Sequence, residues 1–351
     1  KEAERQSQIS TRERDKAKAN LAKLSSENRR YQSLRDSLLG SDTDLWNPHP
    51  PEPYDEYDRD VLSADLNVVT VMNLKGGVGK TTLATNLAAY FNTKLGKRTL
   101  LIDLDFQGSA TSSLLSLTDF TDNLDARIEN LFSSPTGRAH HGDVLMPILH
   151  QKFAATRFEL AACGYPFSRI ENQKLIAWLM RELPFDPRYI LPQFLYSSAV
   201  RSRFDTVVID APPRLSLGAI NALTASRTLV IPTLPDRMSI EAVRNFVGNA
   251  ATLRRLLNPA LQNALIVLNG TRQSNQLVGY ETQVRQELEG ALEDWDGIGR
   301  VLDTIIPRRS AFGNALSQRS LALFENDANT PTTADILSSF GAEVGEHMGI
   351  L

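Results

Sequence analysis

The chain has a single cysteine, Cys163, in 351 residues. One thiol excludes an internal disulfide and a cysteine-held metal cluster, and it fits a reducing, cytoplasmic setting. Set within Phe158 to Gly164, it is expected to be buried and inert. No run of about eighteen apolar residues occurs, so no segment reads as a membrane-spanning helix. Thr333 to Leu351 carries Asp335, Glu343 and Glu346 without one Lys or Arg, which argues against the basic amphipathic helix of a membrane-surface protein. The formal net charge is only −3, so there is no global pull toward nucleic acid, and any DNA contact must come from a local patch. Gly and Pro are missing before Gly40, which leaves no pair of short helices with a glycine turn and argues against an operator-reading helix-turn-helix. The first residue is Lys1 rather than Met and no signal-peptide pattern follows, as expected of a fragment of a longer chain.

What is present is ordinary for a globular protein: 42% hydrophobic and 23% charged residues, enough for one large α/β domain with extras. Residues 1–40 are charge-dense, with apolar positions at Leu21, Leu24, Tyr31, Leu34 and Leu38, spacings that predict a helix with one apolar stripe. The stripe is too short for a coiled coil. Such a helix docks on a partner or joins an upstream domain; the alternative is a frayed polar extension. Residues 41–65 switch to an acidic, proline-rich linker, with Pro48, Pro50, Pro51 and Pro53 among Asp42, Asp44, Glu52, Asp55, Glu56, Asp58 and Asp60. Trp46, Tyr54 and Tyr57 are the linker residues able to pin it to a folded domain, which is expected over 66–351.

From Leu66 strands and helices alternate, which predicts a mainly parallel twisted sheet with helices on both faces. Strands are expected at Val68–Asn73, Thr99–Leu104, Phe158–Ala162, Thr206–Ile209, Thr228–Ile231, Ala264–Leu268 and Val301–Ile305. Helices are expected at Thr81–Leu95, Asn172–Arg181, Tyr189–Val200, Leu215–Thr224, Ser239–Leu257, Tyr280–Leu292 and Thr333–Met348. The stretch 119–193 is less regular, and no internal repeat is visible.

Lys75-Gly76-Gly77-Val78-Gly79-Lys80-Thr81-Thr82 stands between the first strand and its helix, the strand, glycine loop and helix context of a phosphate-binding loop. Gly76, Gly77 and Gly79 allow backbone N–H groups to approach an anion, and the helix opening near Thr81 adds the positive end of its dipole. Lys80 supplies a mobile cation for terminal phosphates and Thr81 a hydroxyl for Mg²⁺. Leu100 to Gly108 places Asp103 and Asp105 at the carboxyl end of a strand, where ligands bind in open α/β sheets. A carboxylate there can orient water for attack on a γ-phosphate. Phe204 to Pro213 is an apolar strand closed by Asp210, the Walker B arrangement, in which the carboxylate holds Mg²⁺ through water.

The form Lys-Gly-Gly-Val-Gly-Lys-Thr-Thr resembles the deviant Walker A loop of the ParA/MinD family of P-loop ATPases, and the resemblance covers about Leu66 to Met348. It implies ATP and Mg²⁺ as cofactors, hydrolysis of ATP to ADP and phosphate, and a homodimer closed by ATP in which Lys75 reaches the nucleotide of the partner subunit. Asp103 to Gly108 resembles the family's switch I pattern Asp-x-Asp-Pro-Gln-Gly, with Phe106 in place of proline. By the same resemblance Asp105 positions the attacking water, Asp103 supports the Mg²⁺ site, and Asp210-Ala211-Pro212-Pro213 is switch II. Asn269 and Pro307, at strand ends, correspond to adenine contacts; the alternatives are a capping Asn and a turn Pro. The single cysteine argues against an iron–sulfur reductase relative.

The family's cycle implies a stimulating partner protein and release of a bound surface on hydrolysis. The principal expectation is a ParA-like protein for plasmid or chromosome partition or cargo positioning, nucleoid-associated through non-specific DNA contacts by Arg254, Arg255, Arg272, Arg308, Arg309 and Arg319. The alternative is a regulatory or scaffold ATPase that couples nucleotide state to a protein partner through the N-terminal helix. A kinase or metabolic ligase would need a substrate pocket, for which 119–193 is the available region.

Overall fold

The apolar run before the glycine loop becomes the middle of a sheet. In a computed structural model of the chain, β1 (Asn67–Val71) lies between β5 (Thr206–Asp210) and β6 (Thr228–Thr233), parallel to both. The structure describes residues 2–41, 43–54, 56–57, 61, 65–117, 125–148, 153, 157–273, 276–317, 319–325, 327–329 and 331–351. Asp42, Asp55, Asp58 and Asp60, read as part of the acidic linker, lie outside the described residues.

Outward from β5 run β2 (Thr99–Asp103), β4 (Phe158–Ala161) and β3 (Met146–Pro147); outward from β6 run β7 (Asn263–Thr271) and β8 (Ile298–Val301), with β9 (Ile306–Pro307) also pairing β7. Among the described residues every strand pairing is parallel except β3 with β4. Unbroken burial along β2, β5 and β6 is what a parallel sheet covered on both faces requires, and it explains why these strands read as continuous apolar runs. The expected architecture, a mainly parallel sheet flanked by helices, is the observed one.

Some element bounds differ from expectation. The strand expected at Val301–Ile305 is two short strands, β8 ending at Val301 and β9 starting at Ile306. The helix expected from Asn172 begins at Pro166, whose fixed φ and missing N–H suit a first helical position. The one expected over Tyr189–Val200 divides into Ile190–Leu195 and Ser198–Arg201.

Two compact units are present, Lys1–Pro50 and Pro51–Leu351. In the first, the helix Glu2–Leu39 leaves Leu21, Leu24 and Tyr31 exposed. In the second, the Tyr57 hydroxyl donates to the Thr224 carbonyl at 2.7 Å, and its ring meets Tyr189 edge-on at 5.1 Å. The Glu52 N–H donates to the Asp186 carboxylate at 3.1 Å, so this unit is anchored ahead of Leu66. Asp186 also holds Arg188, a guanidinium with no exposed surface that stacks on Trp178 at 4.7 Å. Removing one partner of a buried ion pair leaves a charge poorly compensated, so Asp186→Ala is expected to lower stability by about 3 kcal/mol, measurable by urea unfolding. A change under about 1 kcal/mol would contradict that reading of the pair.

Candidate active site

At the end of β1 the backbone must turn sharply into a helix. Gly77 and Gly79 take φ of 72° and 90°, left-handed values that a side chain disfavours, and the helix Lys80–Thr93 opens directly behind them. Two side chains hold the loop. Asn73, buried, accepts from the Lys75 N–H at 3.0 Å and donates to the Pro232 carbonyl at 2.8 Å. Asn269 donates to the Val78 carbonyl at 2.8 Å, so the residue expected at the base is also a brace of the loop.

Lys80 donates from Nζ to the Lys75 carbonyl at 3.0 Å, curled back over the loop. Burial lowers its pKa, while Asp210 and Asp105 draw it back up, so both carboxylates lie within electrostatic reach of the ammonium. Lys75 points elsewhere: Nζ meets both Asp236 carboxylate oxygens at 3.1 Å and the Ser239 hydroxyl at 2.8 Å. Asp236 is meanwhile the N-cap of the helix Arg237–Leu257, accepting from the Ser239 N–H.

Asp103 and Asp210 are register partners on β2 and β5. Asp103 is fully used internally: Oδ1 accepts from the Asp105 N–H at 3.0 Å, and Oδ2 from the Thr111 N–H and hydroxyl at 2.9 and 2.8 Å. It thus ties the loop carrying Asp105 to the helix Ser109–Leu115. Asp210 is the opposite case, with both buried carboxylate oxygens lacking a hydrogen-bond partner among the described residues. An orphaned carboxylate behind a threonine-bearing loop suits Mg²⁺, which keeps most of its waters and needs few protein ligands. Among the described residues no three His, Cys, Asp or Glu side chains gather as a metal cluster.

Burial pushes the Asp103 carboxyl up to about 7, and burial together with Asp103 raises Asp210 well above the usual range. The unfolded value of such groups is near 4, so between about pH 4 and pH 7 the folded chain retains protons that the unfolded chain has released. Stability therefore falls as pH rises through that window. Asp205 and Asp236 are shifted the other way, and their contribution is lost only at lower pH. The melting temperature of metal- and nucleotide-free protein is expected to drop between about pH 4 and pH 7, with Asp103→Asn flattening the slope. A level wild-type profile would contradict the buried pair.

Two cavities meet at the loop. One of about 540 Å³ is lined by Gly76, Gly77, Gly79 to Thr82, Asp105, Gln107 and Pro213, and is walled by Phe312, Ala315 and Ser320 to Ala322. The other, about 460 Å³, joins Gly77 and Gly79 to Asn269, Pro307, Arg308 and Phe312. β9 sets Ile306 opposite Asn269 and Pro307 opposite Thr271, and Asn269 and Pro307 line the same cavity. Sequence reasoning missed the wall from 312 to 322; the Leu323 N–H donates to the Asn86 side chain at 2.8 Å, tying it to the loop helix. It also missed Asn73, whose polar side chain closing an apolar strand was the available clue.

Strand, glycine loop, buried lysine and paired strand-end carboxylates define a P-loop nucleotide hydrolase. A family model described as an AAA domain matches residues 66–263. The chain is 31% identical over 274 residues to the chromosome-partitioning ATPase Soj of Thermus thermophilus, covering 74% of this chain and 91% of that one. It is 29% identical to the sporulation initiation inhibitor protein Soj of Bacillus subtilis, covering 71% and 87%. The fold is shared with an ATP complex of a Cyanothece McdA variant, with a TM-score of 0.62 at 17% identity, over 82% of this chain and 98% of that one. The chain belongs to the ParA/MinD family of P-loop ATPases. It is an ATP hydrolase; solved structures that share its fold hold an ATP analogue or ADP together with magnesium.

Proposed function

We propose that the chain is an ATP-driven dimerisation switch of the ParA-like partition class, acting on DNA segregation or cargo positioning through non-specific DNA contacts. The observation that carries this reading is Lys75, which sits beside the loop yet is turned out of its own phosphate site onto Asp236 and Ser239. A lysine so placed serves a nucleotide across an interface once its ion pair opens. Similarity to a chromosome-partitioning Soj supports the partition role.

Within the site, Gly76 to Thr82 hold the phosphates by backbone N–H groups, with Lys80 on the terminal ones. Thr81 and Asp210 would hold Mg²⁺, which would supply charge screening for the phosphates there. Asp105, facing the same cavity, positions water, and Asp103 supports the metal site by fixing that loop rather than by ligation. Asn269 and Pro307 edge the cavity that takes the base.

Three of the six arginines considered for DNA are engaged within the chain. Arg254 and Arg255 pair with Asp296, and Arg309 with Asp327. Arg272 and Arg308 are exposed and share one cavity wall, brought together by the Arg308 N–H donating to the Thr271 carbonyl at 2.8 Å. Binding to random-sequence duplex DNA is expected with ATP and not with ADP, weakening with salt. The Arg272→Ala, Arg308→Ala double variant is expected to lower the slope of log affinity against log salt by about one unit for each phosphate no longer neutralised. An unchanged slope removes these two residues from the interface. Equal binding in both nucleotide states removes the switch.

A second reading rests on the exposed stripe Leu21, Leu24 and Tyr31 of the helix Glu2–Leu39, a surface suited to a protein partner that reads nucleotide state. No helix among the described residues is long and apolar enough to cross a membrane.

A further inference from the structure

Phe106 occupies the place where the switch I pattern has proline, and the structure gives it partners. Its ring meets Tyr165 edge-on at 5.9 Å, and the Arg214 guanidinium lies 5.5 Å from its centroid. Arg214 follows the two prolines of switch II, so one cation–π contact joins the two switches. Arg214 is itself held from behind: Nη2 donates at 2.9 Å to Glu171 Oε2, on the helix Pro166–Leu179. The Glu171 carboxylate is almost fully buried, and its other oxygen accepts from the Ser216 hydroxyl at 2.5 Å and the Gly218 N–H at 2.7 Å. It therefore grips both the arginine and the start of the helix behind switch II.

The same segment braces switch I from its other side. Gly108, at φ 63°, packs so closely on the Cys163 carbonyl that an added Cβ would lie 2.9 Å from that oxygen. The Cys163 N–H donates to the Thr111 hydroxyl at 2.9 Å, and that hydroxyl donates to Asp103. The residues from 163 to 171 thus touch the loop after Asp105 at Phe106 and Gly108, and reach Asp103 before it through Thr111. A loop reached by a rigid buried anchor keeps a carboxylate where water must be held, and displacements of about 1 Å at such a place change rates by up to about a hundredfold.

We propose that Glu171, Arg214 and Phe106 are positioning residues that lock switch I to switch II and hold Asp105 in its hydrolytic geometry. None of the three lines the two cavities at the loop. Their removal therefore acts on turnover and not on nucleotide affinity. The proposal rests on the reading that Asp105 positions water.

The test is steady-state ATP turnover, with affinity for a fluorescent ADP measured alongside, in Phe106→Ala, Arg214→Ala, their double variant and Glu171→Gln. Thermal melts confirm folding, and Phe106→Tyr and Arg214→Lys serve as conservative rescues. Each alanine variant is expected to lose about ten- to a hundredfold in kcat with nucleotide affinity within about twofold. The double variant is expected to lose much less than the product of the two single losses, because both substitutions break the same cation–π contact. Phe106→Tyr is expected to restore most of the rate. Losses that multiply in the double variant, or affinity that falls in step with kcat, would overturn the relay. So would normal turnover in Arg214→Ala while Asp105→Ala is inactive. Normal turnover in Asp105→Ala instead strikes the water-positioning reading itself, and the relay falls with it.

Discussion

Asp105→Ala is expected to lower ATP turnover by about a hundredfold or more while leaving ATP and Mg²⁺ binding in place. The reasoning is positional. Asp105 faces the phosphate cavity, whereas the orphaned buried carboxylate suited to Mg²⁺ belongs to Asp210 and the phosphate cradle to Gly76–Thr82. Alanine at 105 keeps the backbone N–H that donates to Asp103, so the loop retains its anchor. It removes the acceptor for the Gln107 N–H, a partly solvated interaction of modest value. Chemistry should thus fail while folding and affinity remain. Turnover within about threefold of wild type, or loss of ATP binding, would contradict the role given to Asp105.

Lys75→Ala is expected to leave ATP binding by the monomer intact and to abolish both the closed dimer and hydrolysis. In the isolated chain Lys75 touches Asp236 and Ser239, and its ion pair is partly exposed, which limits its worth to about 1 kcal/mol or less. Folding should therefore be unaffected. Asp236 would still cap its helix through the Ser239 N–H. The deficit must appear in assembly, read by equilibrium sedimentation with ATP, and in turnover, which depends on it. Loss of monomer binding in Lys75→Ala would place that lysine in its own phosphate site and contradict the proposed role across the interface.

The nucleotide site was legible because its parts are local. A strand, three glycines and a helix are consecutive, and Asp103, Asp105 and Asp210 each close an apolar run, so the pattern is visible without knowledge of tertiary contacts. What depends on distant pairing was not legible. Glu171 reads as one polar residue of a helix, and only the fold sets its carboxylate against Arg214, Ser216 and Gly218. The wall formed by Phe312, Ala315 and Ser320 to Ala322 lacks a periodic pattern, and it is placed by burial in the core and by the Leu323 N–H donating to Asn86. Arg254 and Arg255 looked available for phosphate until the fold brought Asp296 to them. The edge strand β8 was misplaced because Gly297 and Gly299 lower strand propensity; the backbone of Gly297 fits close against the Gln262 carbonyl, where a side chain has no room.

The most direct test of the switch is the mass in solution, by light scattering, of Asp105→Ala protein with Mg²⁺ and either ATP or ADP. Twice the chain mass is expected with ATP and a single chain with ADP. A single chain in both states, or a dimer in both, would contradict an ATP-driven dimerisation switch.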